Sequence, residues 1–273
     1  MPGTLFIIGT PIGNLEDLSF RAVRVLKEVD RIACEDTRHT RRLLEHYGID
    51  RPLVSYHEHN ERERTADLLA ELEAGRTVAL VSDAGTPLIA DPGYRIVHAA
   101  RERGITVTPI PGPSAIMAAL SASGLATDAF LFIGFLPAKS AARRRVLEEW
   151  RELQATLVCY EAPHRVVESL RAIAEMDAAR RVVVARELTK VHEEFLEGTA
   201  GEIANVLEAR PAVKGEFTIL VARAERSEAA DEANIEAEVA ALMAAGTPRM
   251  DALKAVARKF GMSKREVYKR VEG

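Results

Sequence analysis

Short apolar runs alternate with helix-period segments over the first half of the chain. Thr4–Gly9 reads as a strand through Leu5, Phe6, Ile7 and Ile8. Phe20–Glu28 then carries Ala22, Val23 and Leu26 at helical spacing behind a candidate N-cap, Ser19. The same reading gives strands at Arg31–Cys34, Val78–Val81 and Thr106–Pro109. Helices fall at Thr40–Tyr47, Glu61–Ala74, Arg95–Arg103 and Pro113–Ala122. Gly48, Gly75 and Gly104 stop three of them, and Pro113 suits a first turn, where a missing N–H costs nothing. This alternation predicts a parallel sheet with helices on its faces.

The pattern changes near Phe130. Strands are expected at Phe130–Gly134, Thr156–Tyr160, Arg181–Arg186, Glu193–Leu196 and Phe217–Ala222, with helices at Ala141–Leu153, Arg165–Met176 and Ala200–Ala209. That is a second α/β domain, with a mixed sheet. Arg226–Glu232 is charged and lacks large apolar groups, so it reads as a linker. Three short helices follow, Ile235–Ala245, Arg249–Phe260 and Lys264–Val271, punctuated by Gly246 and Gly261, with Ser263 as an N-cap. Short helices with a basic last member resemble a helix-turn-helix module; a plain helical cap on the second domain is the alternative. The expected class is α/β, with domains at 1–123 and 124–225 and a helical module at 232–273.

Length agrees, since 273 residues suit two domains at roughly 150 each. Aromatics are only 5%, so the cores must be aliphatic. Cys34 and Cys159 lie far apart without metal-like spacing, which argues against a disulfide scaffold or zinc module. No apolar run approaches the ~18 residues of a membrane span. No basic residue precedes the first apolar run, so it is a strand rather than a signal peptide, and the cytoplasm is the default compartment. Charge does change the picture. Residues 248–271 hold eight basic and two acidic side chains, a net of +6 inside a chain of net charge −4. A basic segment on an acidic body points to a polyanion such as RNA or DNA.

Candidate chemistry sits where strands end. Gly9-Thr10-Pro11-Ile12-Gly13-Asn14-Leu15 follows the first strand, but it is neither a G-x-G-x-x-G fingerprint nor a P-loop. Ser82-Asp83-Ala84-Gly85-Thr86-Pro87 runs on through Ile89 to Gly93 after an apolar strand, the place where open α/β sheets bind ligands. Pro111-Gly112-Pro113-Ser114-Ala115 follows another strand and opens a helix; Ser114 is no nucleophile elbow, because Ile116 breaks G-x-S-x-G. In the second domain Tyr160-Glu161-Ala162-Pro163-His164-Arg165 continues from the end of a strand, and Lys214-Gly215-Glu216-Phe217-Thr218 comes later, running into another. His57-x-His59 has metal-ligand spacing but lacks a third ligand.

Thr10–Leu15, Glu35-Asp36-Thr37-Arg38, Ser82–Pro87 and Pro111–Ser114 together resemble the tetrapyrrole methylase superfamily. Gly134-Phe135-Leu136-Pro137, Tyr160–Arg165 and Ala185–Lys190 extend the likeness, more narrowly, to members that methylate the ribose 2′-oxygen of a cytidine in the decoding region of 16S rRNA. The resemblance implies S-adenosylmethionine held between two α/β domains by Pro11, Asp83, Gly85, Thr86, Ile89, Ser114, Ala115, Tyr160, Ala162 and Thr218. It also implies a homodimer and an RNA partner in the small ribosomal subunit. A tetrapyrrole methyltransferase of the same superfamily is the alternative activity, and a non-enzymatic nucleic-acid binder the alternative class.

Methyl transfer to a ribose hydroxyl needs a proton acceptor but no metal. Asp36, Glu161 and His164 are the candidates. Glu161 as a helix cap, and Glu35-Asp36 as partners of Arg38, are the structural alternatives. Candidate RNA contacts are Arg38, Arg41 and Arg42, then Lys139, Arg143 and Arg144, then Lys264, Arg265 and Lys269. Solvated helix charge is the alternative for the second group.

Overall fold

A computed structural model describes residues 2–224, 228–260 and 262–272. They form two compact units, Met1–Arg223 and Ala224–Gly273.

The larger unit holds two five-stranded sheets. In the first, β1 (Thr4–Ile8), β2 (Arg31–Cys34), β3 (Leu53–Ser55), β4 (Val78–Val81) and β5 (Thr106–Ile110) are all parallel, in the order β3-β2-β4-β1-β5. Such strands must be apolar on both faces, and all four residues of β4 are buried. One face packs on α1 (Phe20–Glu28) and α2 (Thr37–His46) through Leu26, Leu43 and Ile32. The other packs on α3 (Glu61–Glu73) and α4 (Tyr94–Glu102) through Leu68, Leu72 and Ile96.

The sequence reading misses β3. It is three residues long and half-buried throughout, too short to show alternation. α2 starts three residues earlier than expected, because Asp36 caps it by accepting from the Arg38 N–H.

α5 (Ala115–Ala122) leads into the second sheet and covers one of its faces, with Ile116 and Leu120 against Val158, Val183 and Leu220. That sheet contains β6 (Phe130–Phe135), β7 (Thr156–Glu161), β8 (Arg181–Arg186), β9 (Glu194–Thr199) and β10 (Phe217–Val221), in the order β6-β7-β10-β8-β9. Only β6–β7 is parallel, so the sheet is mixed, as expected. α6 (Ser140–Glu149), α7 (Val166–Met176) and α8 (Ala200–Glu208) cover the opposite face.

The smaller unit contains α9 (Glu228–Ala244), α10 (Arg249–Lys259) and α11 (Lys264–Glu272). Ile235, Val239, Leu253, Val256 and Val267 close its core. Ser263 and Glu266 cap α11 reciprocally. The expected linker at Arg226–Glu232 is helical from residue 228 onward, while its residues 226 and 227 and the expected Gly261 break lie outside the described residues.

Candidate active site

β4, β1 and β5 are neighbours in the sheet, so the loops at their carboxyl ends meet. Thr10 and Gly85 exchange backbone hydrogen bonds of 2.9 and 3.0 Å. The Thr10 hydroxyl donates to the Ser82 carbonyl at 3.0 Å, and Thr86 donates to the Pro113 carbonyl at 3.3 Å. Gly9 and Gly112 touch backbone to backbone: a Cβ at Gly112 would lie 2.8 Å from the Gly9 carbonyl oxygen. The glycines therefore let two loops fuse into one wall.

The second sheet supplies the opposite wall through its pairing. β10 runs antiparallel to β7 and β8, which sets Phe217 opposite both Glu161 and Arg186. The end of β7, the start of β10 and the turn after β8 thus lie together. Between the walls is a cavity of about 410 Å³.

Asp83, Gly85, Thr86 and Ile89 line it from the β4 loop, and Ser114 and Ala115 from the start of α5. Tyr160, Ala162 and Thr218 line it from the second sheet. Pro11 does not; its neighbour Ile12 does. Glu216 and Phe217, which the resemblance implies together with Thr218, line it too, whereas Asp91, Phe135 and Leu188, also in the lining, were not singled out as cofactor residues.

The backbone around the cavity is strained. Among the described residues, the non-glycine residues with positive φ are Leu88 (73°), Ala90 (66°), Glu187 (52°) and Thr189 (65°), all in its two bordering loops. Such conformations persist where surrounding structure enforces them, and they cluster at functional sites.

The electrostatics are acidic. Burial, then the charge of Glu35, pushes the Asp91 carboxyl up to about 6; Asp83 adds to this and a hydrogen bond with Ser82 opposes it. Burial and the Asp91 charge raise the Tyr160 phenol to about 12. Asp83 accepts from the Asp36 N–H at 3.1 Å, tying the β2 and β4 loops together.

The three candidate bases are placed very differently. Glu161 lines the cavity, but its side chain is fully buried. It accepts from Ser169 Oγ at 2.5 Å and from the Ala162 N–H at 2.9 Å, and it pairs with Arg165. Asp36 lies outside the lining and pairs with Arg38 at 2.8 Å; hydrogen bonds from that side chain and backbone hold its carboxyl far below the usual range. His164 is exposed and also outside the lining.

Of the basic candidates, Arg38, Arg41 and Arg42 are exposed on α2, and Lys139 is exposed before α6. Arg143 departs from the expected surface role. It is buried, and its Nη2 donates to Glu168 at 3.1 Å. Arg144 pairs with Glu175 at 2.9 Å. In the smaller unit, Arg265 and Lys269 are exposed on α11 and Lys264 is half-buried. The rings of His57 and His59 are 5.9 Å apart, and no metal-holding cluster of three His, Cys, Asp or Glu occurs among the described residues.

The tetrapyrrole (corrin/porphyrin) methylase family matches residues 4–204. Ribosomal RNA small subunit methyltransferase I of Halalkalibacterium halodurans is 47% identical over 272 residues, covering 97% of this chain and 93% of that protein. The protein of the same name from Escherichia coli O157:H7 is 46% identical, covering 98% and 94%. The chain belongs to the ribosomal RNA small subunit methyltransferase I family of tetrapyrrole methylases.

Solved structures share the architecture of the larger unit at low identity. Uroporphyrin III C-methyl transferase from Thermus thermophilus superposes with a TM-score of 0.56 at 19% identity, covering 80% of this chain and 97% of that one. Diphthine synthase gives 0.64 at 17%, covering 81% and 90%. The family match stops at residue 204, ahead of β10 and the helical unit.

Proposed function

We propose that the protein transfers a methyl group from S-adenosylmethionine to the ribose 2′-oxygen of a cytidine in the decoding region of 16S rRNA. The carrying observation is the cavity between the two sheets, walled by small residues and carboxylates in a chain of this family. Its volume of about 410 Å³ falls in the ~300–1,000 Å³ range of cofactor pockets. The donor is a sulfonium with an ammonium tail, and Asp83 and Asp91 oppose that positive charge. Ile12, Ile89 and Phe135 offer apolar surface to its adenosine. Thr86 and Thr218 offer hydroxyls, and Ser114-Ala115 set the first turn of α5 against it. A related structure, uroporphyrin-III C-methyl transferase from Thermus thermophilus, is described in complex with S-adenosyl homocysteine.

The bound donor supplies an electrophilic methyl group. The chain supplies alignment, exclusion of water and a place for the hydroxyl proton. RNA is positioned by Arg38, Arg41 and Arg42, which sit on the helix capped by Asp36 beside the cavity loop, and by Lys139. In the smaller unit, α11 adds Lys264, Arg265 and Lys269. These are phosphate contacts that orient rather than specify. The reading places the enzyme as a homodimer in the cytoplasm, acting on the small subunit. No helix among the described residues is long and apolar enough to cross a membrane.

Mass mapping of ribose methylation on small-subunit RNA, from cells with and without this gene, tests the activity. One decoding-region cytidine should lose its 2′-O-methyl group in the deletion strain. An unchanged map, or methyl transfer to precorrins instead, rejects the reading.

A truncation tests the smaller unit. Removing residues 232–273 should weaken small-subunit RNA binding at least tenfold and change donor affinity less than twofold, because the deleted charges are phosphate contacts (roughly one unit of salt slope each). Equal losses in filter-binding and calorimetric titrations would make the segment a fold cap.

A further inference from the structure

The loop after β4 lines the cavity through Asp83, Gly85, Thr86, Ile89 and Asp91, and its backbone is strained at Leu88 (φ 73°) and Ala90 (φ 66°). Conformations of this kind persist only where the surroundings over-determine them. At the far end of the loop that restraint comes from outside it.

Gly93 closes the loop. Its φ is 139°, and a Cβ there would lie 2.9 Å from both Leu80 Cδ2 and Leu88 Cδ1, so a glycine is what seats on those side chains. Gly93 is also the N-cap of α4, where it has no side chain to accept from the first amides of the helix. Glu61, the first residue of α3, does so instead. Its Oε1 accepts from the Gly93 N–H at 3.2 Å and from the Arg95 N–H at 3.4 Å. A carboxylate at a helix N-terminus is favoured by charge as well as by hydrogen bonding.

Glu61 is itself held in place. Its N–H donates to the His57 carbonyl at 2.8 Å, and the Tyr56 hydroxyl donates to the same Oε1 at 3.1 Å. Tyr56 is buried; its hydroxyl lies 3.0 Å from Thr65 Oγ1, and its N–H donates to the Cys34 carbonyl at the end of β2 at 2.8 Å. The Glu61 side chain is only 14% exposed, and Arg95 Nε pairs with its other oxygen at 3.4 Å. One carboxylate thus ties the start of α3, and through Tyr56 the end of β2, to the residue two positions after Asp91.

We infer that Glu61 is a positioning residue of the methyl-donor cavity: it caps α4 from α3 and thereby holds the β4 loop in the shape that presents Ile89 and Asp91 to the donor. The inference rests on the donor reading of the cavity above. Glu61 is outside the cavity lining, so it acts through the loop. Without its acceptor oxygen the strained loop loses a restraint and relaxes into other shapes. Apparent donor affinity then falls with the fraction of molecules still in the binding shape. The chemical step at saturating donor is spared, because bound donor selects that shape.

The test uses the full-length protein, at a temperature where every variant is folded by circular dichroism. Glu61→Ala should weaken S-adenosylmethionine binding about ten- to thirtyfold by calorimetry, the fraction lost with a helix cap. Its KM for the donor should rise in proportion, while single-turnover transfer at saturating donor stays within about threefold of wild type. Glu61→Gln keeps an acceptor oxygen and should bind donor within about threefold of wild type. Arg95→Ala removes the ion pair but no backbone N–H, and should bind within about twofold. Proton release near pH 6 on donor binding should shrink in Glu61→Ala, because Asp91 is no longer held in its buried setting; a loss of global stability alone leaves that linkage in place. Hydrogen exchange on the wild-type protein needs no variant: by reciprocity, bound donor should slow the Gly93 and Arg95 amides at least about fivefold. Donor affinity of Glu61→Ala within twofold of wild type, an equal loss in Glu61→Gln, or Gly93 and Arg95 amides indifferent to donor overturns the assignment. If wild-type protein binds no donor, the reading of the cavity fails first; if wild type binds it and Glu61→Ala binds it equally well, only the positioning role fails.

Discussion

Asp91→Asn is expected to weaken S-adenosylmethionine binding by about ten- to a hundredfold at neutral pH. That corresponds to the ~1.5–3 kcal/mol of a hydrogen bond to a charged group in a partly buried site. The wall around Asp91 is short of positive charge: Glu35 and Asp83 are its charged neighbours, and together with burial they push its carboxyl up to about 6. The donor-free cavity thus disfavours the ionised form, and a bound cation restores it.

The pH dependence follows with a definite sign. Below about 6 the Asp91 carboxyl is neutral and has no charge to offer the donor. Wild-type affinity should therefore rise from pH 5 to 7, with net proton release near pH 6, and calorimetry in buffers of different ionisation heat reads both. Stability runs the opposite way. Because the folded carboxyl titrates above its ordinary value of 3.8, the native state holds the proton more tightly than the unfolded chain. Asp91 thus costs donor-free stability as pH rises from about 4 to 6, and the cost persists above. Asp91→Asn should accordingly melt no lower than wild type without donor at pH 7.5, while losing most of the donor-induced rise in melting temperature. A variant that binds the donor normally and shows no proton linkage would remove Asp91 from the site.

Both features were partly visible in the chain. The loops after β1, β4 and β5 announce themselves by glycine and proline directly behind apolar runs, and sheet order does the rest. Asp91 lies in the same loop, but its significance comes from Glu35 and Asp83 and from desolvation, none of which a linear pattern encodes. Leu188 enters the cavity from the turn after β8, held beside the start of β10 by the Glu187 N–H to Glu216 carbonyl bond, an antiparallel neighbour that strand prediction does not specify. Arg143 illustrates the converse. It belongs to a basic run and reads as surface, yet it is four residues before Leu147, on the one face of α6 that is buried. Helical phase held that information, and charge obscured it. Asp36 could have been read as a cap from the polar residue ahead of Leu43 and Leu44; apolar periodicity alone set the helix start too late.

Glu161→Ala is expected to destabilise the larger unit by about 3–5 kcal/mol, the cost of leaving one member of a buried ion pair alone. The Glu161 side chain has no exposed area and Ser169 is fully buried, while the Arg165 side chain is only 20% exposed. Removing the carboxylate orphans the Ser169 hydroxyl and the Ala162 N–H as well as the guanidinium. Arg165 keeps its second anchor, the Leu136 carbonyl, which lies just after β6. The guanidinium is therefore held near its site and cannot easily swing to water. For a unit of this size the loss should lower the melting temperature by roughly 2–4 °C per kcal/mol, so on the order of 6–20 °C in all. Glu161→Gln keeps an acceptor for Ser169 and loses the charge, and should fall between the two proteins in thermal and urea unfolding. At a temperature where Glu161→Gln is fully folded, its methyl-transfer rate should stay within about tenfold of wild type, well short of the ~10²–10⁴-fold loss of a missing general base. A Glu161→Ala protein that melts within 2 °C of wild type, or a folded Glu161→Gln protein that has lost turnover a thousandfold, would return Glu161 to the chemistry and take it out of the scaffold.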